Sequence, residues 1–122
     1  QNYALIDDLT VYENLKIVMD KIPKKEGRKL ALQELNKLGL GEVLDKKIFQ
    51  LSGGEQQRVA IVRLILHKRE IILADEPTGS LDQKNGKIIM DLLKELHQQG
   101  RTIIMVSHDE NAISYCSRII NL

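Results

Sequence analysis

The chain has 122 residues, a net charge of +1, and 43% hydrophobic and 29% charged residues, as in an ordinary globular domain or a piece of one. This charge argues against a general attraction to nucleic acid, and one Phe, three Tyr and no Trp argue against a stacking surface for single strands. The lone Cys116 excludes an intrachain disulfide and fits a reducing cytosol. No apolar run reaches the roughly 18 residues of a membrane span, so work at a membrane would need a partner.

The first half of the chain is predicted to be helical. Thr10 and Glu13 form a capping box in front of an apolar stripe that continues to Pro23, which breaks the helix. A second helical stripe ends at Gly39, a residue suited to a C-terminal cap. A third helix begins near Ser52 and is apolar nearly all round, which predicts that it is covered on several sides.

The second half alternates strands and helices. Short apolar runs at 71–74 and 102–106 are typical of strands buried on both faces, and 118–122 is predicted as a third strand. A helix is predicted over 83–98, and Asp109 is predicted to cap a short helix. This order predicts an α/β fold, with three parallel strands joined by right-handed crossovers and preceded by a helical subdomain.

A glycine pair precedes the third helix, in the run Ser52, Gly53, Gly54 and Glu55. Glycines let the backbone approach a ligand, and a helix N-terminus offers unpaired N–H groups and a positive dipole end. A phosphate would fit there, with the Ser52 hydroxyl as a further donor. The simpler interpretation is a capping box between Ser52 and Glu55 with a glycine turn, and both interpretations can hold at once.

Two consecutive carboxylates end the first predicted strand. Ligands bind at the carboxyl ends of parallel strands, so Asp75 could face a magnesium ion while Glu76 faces a water. The alternative is a solvated junction between strand and turn. His108 follows the second strand and could contact a developing phosphate charge or orient the attacking water, although a lone His there is usually a turn residue.

Taken in order, these motifs resemble those of an ABC ATPase. The run 51–55 is similar to the signature motif, 75–77 to the end of Walker B, 81–82 to the D-loop and His108 to the switch histidine. Gln1 stands where the family has its Q-loop glutamine, so the resemblance spans the whole chain. Glu55 departs from the Gln that many members carry at that position.

The resemblance implies a partial P-loop NTPase core preceded by an ABC-type α-helical subdomain. Residues 1–67 would be the Q-loop and the α-helical subdomain, ending in the signature helix. Residues 68–122 would be the C-terminal part of the RecA-like core, with Walker B, D-loop and H-loop.

The resemblance also implies nucleotide contacts for five residues. In the family the signature motif presses on the γ-phosphate of an ATP held by the opposite subunit, and the D-loop aspartate links the two composite sites. The corresponding residues here are Ser52, Gly53, Gly54, Glu55 and Asp82.

Catalytic and magnesium roles are implied for four further residues. Glu76 would be the general base that polarises the attacking water, and His108 would sense the γ-phosphate. Asp75 would steady Mg²⁺, and Gln1 would contact the magnesium or its water.

As a whole, the resemblance implies the ATP-hydrolysing motor subunit of a bacterial transporter. Such subunits form head-to-tail dimers and lie on the inner face of the cell membrane, bound to transmembrane permease subunits.

About fifty residues separate Gln1 from Ser52, too few for the long coiled coil of chromosome-maintenance relatives. Translation-linked relatives normally carry two cassettes. The runs 8–15 and 74–82 are most similar to one bacterial branch, which exports macrolides and antimicrobial peptides, releases lipoproteins or works in cell division. No nucleic-acid partner is expected.

No P-loop motif, G-x-x-x-x-G-K-[ST], occurs in the 122 residues. In the family this loop precedes the Q-loop, so we expect it upstream of Gln1 and expect the 122 residues alone to hydrolyse essentially no ATP. A non-catalytic module that lost its P-loop is the alternative, but such a module would have no need of Glu76 or His108. We also expect an uncovered apolar edge or face of the sheet, which favours self-association or domain swapping.

Overall fold

The computed structural model describes residues 3–122. Its helices and strands are α1 (Val11–Lys16), α2 (Lys24–Lys37), α3 (Gly53–His67), β1 (Ile71–Asp75), α4 (Gln83–Gln98), β2 (Thr102–Val106) and α5 (Glu110–Ile113), with 3₁₀ turns at Gly41–Val43 and Ile48–Gln50. The chain divides into two compact units, the first ending at Lys68 and the second being Arg69–Leu122. Within the described part of the chain, every helix is too short or too polar to cross a bilayer.

Helix α1 begins as predicted and ends early. The Thr10 hydroxyl accepts a hydrogen bond from the Glu13 amide at 3.1 Å, and the Glu13 carboxylate accepts one from the Thr10 amide at 2.7 Å. The stripe had predicted a helix reaching Pro23, which is wrong, because turns with bonds between residues three apart replace it after Lys16. Val18 and Ile22 still pack against the core, so the stripe reports burial rather than a longer helix.

Helices α1, α2 and α3 pack on one another to form the first unit. Helix α2 ends before Gly39, whose φ of +71° is the left-handed conformation that a C-terminal cap requires. The most deeply buried apolar side chains of this unit come from all three helices and from the turns between α2 and α3. They include Val11, Leu15, Ala31, Leu35, Ile48, Val59 and Val62.

The second unit is a parallel pair of strands joined through α4. Ile71 pairs with Thr102, and the register continues to Asp75 opposite Val106. The predicted third strand is wrong, since 118–122 forms no regular structure. A strand exists only where another strand takes its backbone hydrogen bonds, and apolar content alone could not supply that partner.

One face of this two-stranded sheet is exposed. Ile71 and Leu73 on β1 are 60% and 76% exposed, and Ile104 and Val106 on β2 are 53% and 63% exposed. The prediction of strands buried on both faces is therefore wrong for this chain. Alternate side chains point to opposite faces of a strand, and only Ile72 on β1 is fully buried. The expectation of an uncovered apolar sheet face is met.

We expect this face to make the 122-residue chain associate with a second copy of itself, because burying four apolar side chains removes their surface from water. Sedimentation velocity should show a concentration-dependent increase in mass. Replacing Leu73 and Ile104 together with Thr, which keeps strand propensity, should shift the chain toward monomer. Ile17→Thr alters an apolar residue of the first unit that is 55% exposed, and should leave the association unchanged. A wild-type chain that stays monomeric at all concentrations would contradict the prediction.

Candidate nucleotide site

The glycine pair opens helix α3, as the sequence predicts. Ser52 is the N-cap residue, and its hydroxyl accepts a hydrogen bond from the Glu55 amide at 3.2 Å while the Glu55 carboxylate accepts one from the Ser52 amide at 3.3 Å. A hydroxyl that accepts from an amide keeps its own proton for another acceptor. Apart from its chain neighbours and the adjacent helix backbone, a side-chain carbon added at Gly53 would meet no atom within 4 Å. The helix N-terminus is therefore capped and still open to an anion.

The start of the described chain is attached to the same helix. Arg63 on α3 donates to the Ala4 and Tyr3 carbonyl oxygens at 2.6 and 2.9 Å, and the Tyr3 hydroxyl donates to the buried Gln57 at 3.2 Å. Burial lowers the pKa of Arg63, but a guanidinium stays charged in a protein. These contacts hold residues 3–4 against α3. Gln1, the predicted magnesium contact, lies outside the described residues.

The end of β1 carries the two predicted carboxylates, and they differ in surroundings. Asp75 is exposed, and its carboxylate makes no hydrogen bond to any residue that the structure describes. Glu76 has a φ of +44°, a left-handed conformation that costs a non-glycine residue about 1–3 kcal/mol. Its amide donates to the Val106 carbonyl oxygen at 2.9 Å. This bond holds Glu76 beside the end of β2.

Glu76 and His108, the two predicted catalytic residues, are in contact. His108 Nδ1 lies 2.7 Å from Glu76 Oε1, and the Ser107 hydroxyl donates to Glu76 Oε2 at 3.3 Å. In a pair with an ionised carboxylate, which only accepts hydrogen bonds, the donor is the N–H group at His108 Nδ1. The imidazole side chain is 91% exposed, which leaves Nε2 open to a ligand.

Asp109 connects the two turns that carry this pair. Its amide donates to the Ser107 hydroxyl at 3.1 Å, and its carboxylate accepts from the Thr78 hydroxyl at 3.0 Å and from the Asn111 amide at 2.9 Å. These hydrogen bonds, the Asn111 amide first, lower the pKa of Asp109. The sequence predicted Asp109 only as a helix cap and gave no role to Ser107 or Thr78. The signal in the sequence was the presence of hydroxyl and carboxyl side chains shortly after both strands, namely Thr78 after β1 and Ser107 and Asp109 after β2.

Asp82 lies at the start of α4 and acts as its N-cap. One carboxylate oxygen accepts from the Asn85 amide at 2.7 Å and the other from the Asn85 side chain at 3.0 Å. Lys87, in a Gly-Lys pair that superficially resembles part of a P-loop, is bonded to Asp91 at 2.7 Å across one helical turn. The residues predicted to form the signature motif thus lie in the first unit, and the other predicted site residues that the structure describes lie in the second.

The exposed carboxylate of Asp75 at the end of β1 is a suitable ligand for a magnesium ion. No group of three His, Cys, Asp or Glu side chains in residues 3–122 could hold a metal by itself. Mg²⁺ is usually bound by one or two carboxylates together with substrate phosphates and water rather than by a protein cage. The free carboxylate of Asp75 suits that arrangement.

Comparisons with known proteins agree with these motifs. The family model described as ABC transporter matches residues 1–79. A macrolide export ATP-binding/permease protein of Yersinia pestis is 45% identical over 124 aligned residues, which cover 100% of this chain and 18% of that protein. An uncharacterized ABC transporter ATP-binding protein of Methanocaldococcus jannaschii is 47% identical, with 100% of this chain and 55% of that protein covered.

Solved structures give the same result. One, described as the dimeric structure of a bacterial ABC transporter cassette, has a TM-score of 0.82 and 43% identity, and the match covers 94% of this chain and 53% of that one. Another, described as a dimeric post-hydrolysis state of an ATP-binding cassette bound to ADP and Pi, has a TM-score of 0.82 and 42% identity over the same shares. The chain spans about half of these cassettes and under a fifth of the export protein. It belongs to the ABC transporter family.

Proposed function

We propose that the natural protein containing this chain is the ATP-hydrolysing motor subunit of a bacterial ABC transporter. The observation that carries the proposal is the contact between Glu76 and His108 at the carboxyl ends of two parallel strands. Ligands of open α/β sheets bind at this edge, and the pair combines a base with a group able to contact phosphate. The two units would be the helical subdomain and the C-terminal part of the ATPase core.

In the proposed reaction, a water attacks the γ-phosphorus of ATP and its proton passes to Glu76. The bond between that phosphorus and the β–γ bridging oxygen breaks, and ADP leaves. His108 would donate from Nδ1 to one oxygen of the carboxylate, and the doubly protonated ring would also donate from Nε2 to the γ-phosphate. When bound, Mg²⁺ would neutralise phosphate charge, and Asp75 with Gln1 would help to hold it.

The signature residues would act on the ATP of a second subunit. Ser52 and Gly53 lie at an exposed helix N-terminus, where unpaired amides and the helix dipole favour the γ-phosphate. A head-to-tail dimer would contain two such composite sites, linked by Asp82. The dimeric arrangement of the related cassettes supports this proposal.

The proposed location is the cytoplasmic face of the cell membrane, where transmembrane permease subunits would hold the motor. The similarity to a Yersinia pestis protein described as a macrolide export ATP-binding/permease protein supports the export branch. The sequence run 8–15 points to the same branch.

Mixing two inactive variants of the natural protein tests the composite site. Gly53→Asp would place a carboxylate where the phosphate would lie, and its Cβ would meet no atom within 4 Å apart from its chain neighbours and the adjacent helix backbone. Glu76→Gln removes the base. Each variant alone should lose about a hundredfold or more of its turnover. A mixed dimer has one site with an intact signature motif and an intact base, so equal mixing should restore roughly a quarter of wild-type turnover.

The control for mixing is a dimer between Gly53→Asp and a second variant of the same motif, Gly54→Asp, in which both sites lack a working signature motif. That mixture should stay inactive. If the Gly53→Asp and Glu76→Gln subunits form mixed dimers and none of the activity returns, the signature motif does not act across the dimer.

A further inference from the structure

We propose that Ser107 is a positioning residue for Glu76 and that Asp109 holds Ser107 in this role. The inference rests on the proposed ATPase function. Ser107 follows β2 and Glu76 follows β1, and the parallel register that pairs Asp75 with Val106 makes them neighbours. The Ser107 hydroxyl lies 3.3 Å from Glu76 Oε2, on the oxygen that His108 does not contact.

The direction of the Ser107 proton follows from its partners. A serine hydroxyl has one proton to donate, and the Asp109 amide at 3.1 Å already supplies a proton to its oxygen. The serine's own hydroxyl proton therefore points to the carboxylate of Glu76. Both carboxylate oxygens are then held, one by Ser107 and one by His108, and each keeps a lone pair for a water.

Asp109 stabilises the arrangement from the opposite turn. Its carboxylate binds the Thr78 hydroxyl at 3.0 Å, and Thr78 lies two residues after Glu76 in the same turn. The Gly79 amide closes this turn by donating to the Glu76 carbonyl oxygen at 3.1 Å. Asp109 thus fixes the backbone of Glu76 through Thr78, and it fixes the side chain of Glu76 through Ser107. Since Glu76 holds a left-handed conformation, external contacts are needed to maintain it.

The test compares Ser107→Ala with Ser107→Thr in the natural protein. Glu76 is needed for the chemical step and not for ATP binding, so Ser107→Ala should lower kcat about tenfold and leave KM unchanged. Thr keeps the hydroxyl and should restore kcat. Ser114→Ala is the matched control, since this hydroxyl in the same unit donates to the Asn111 carbonyl oxygen at 2.6 Å and lies outside the catalytic group.

A Ser107→Ala protein that folds and keeps the wild-type kcat overturns the inference. A folded Ser107→Thr protein whose kcat stays as low as that of Ser107→Ala overturns it as well. If Ser107→Ala does not fold, Thr78→Val decides, because it removes the bond to Asp109 and should lower kcat several-fold at constant KM. An unchanged kcat in Thr78→Val then overturns the inference. The proposed function fails separately, if the wild-type protein does not hydrolyse ATP or if Glu76→Gln leaves its turnover intact.

Discussion

Glu76→Gln in the natural protein should lower ATP turnover by about 10²- to 10⁴-fold and leave ATP binding intact, since general-base catalysis contributes a factor of that size. Glutamine has nearly the shape of glutamate, and its carbonyl oxygen can still accept the hydrogen bond from Ser107. It cannot take a proton from water. The loss should therefore appear in kcat and not in the affinity for ATP, measured by steady-state hydrolysis and by titration with ATP.

Glu95→Gln is the matched control, because Glu95 is exposed on α4 and undergoes the same chemical change. This variant should keep wild-type turnover. His108→Ala should also lower kcat, since it frees one oxygen of the base. If Glu76→Gln keeps more than about a tenth of the wild-type turnover, the hydrolytic base is another group.

Asn14→Leu should lower the free energy of unfolding of the first unit by about 2–4 kcal/mol. Asn14 is completely buried, with 0% of its surface exposed. Its side-chain oxygen accepts from the Ile6 amide at 2.8 Å, and its side-chain nitrogen donates to the Ile6 and Thr10 carbonyl oxygens at 3.1 and 3.0 Å. The side chain thus holds Ile6 as a neighbouring strand would. Leucine has the same number and branching of side-chain heavy atoms, and it leaves both backbone groups of Ile6 without these partners.

The loss in free energy of unfolding is measured by urea unfolding, with hydrogen exchange of the amides in the first unit as the probe. Gln33→Leu serves as the control, because it exchanges an amide for the same apolar residue at an exposed position of α2 and should change stability by less than about 0.5 kcal/mol. Equal stability of Asn14→Leu and the wild type would show that the backbone of Ile6 finds other partners.

The sequence predicted the starts of α1 and α3 correctly, because the signal for a helix start is local. The bonds that start α1 and α3 join Thr10 to Glu13 and Ser52 to Glu55, residues three apart in the chain. Such contacts form wherever these residue types occur at that spacing, because the helix itself brings them together. The family resemblance was accessible for the same reason, since its motifs are short runs that keep their order.

The sequence predicted less well where a result depends on a distant partner. The prediction of a third strand is wrong because no strand within residues 3–122 pairs with the backbone of 118–122. Helix α1 is short because turns replace it after Lys16 while the same apolar side chains stay in the core. The exposed face of β1 and β2 depends on what covers the sheet, which an apolar run does not specify.

The amino-acid sequence by itself determined the caps, the order of the motifs and the family to which they belong. Only the tertiary structure decided how Glu76 is held. Ser107 and Asp109 reach Glu76 and Thr78 across 31 positions of the chain. They meet because the parallel register of β1 and β2 aligns the two strand ends, and neighbours in such a register share no sequence period that could reveal them.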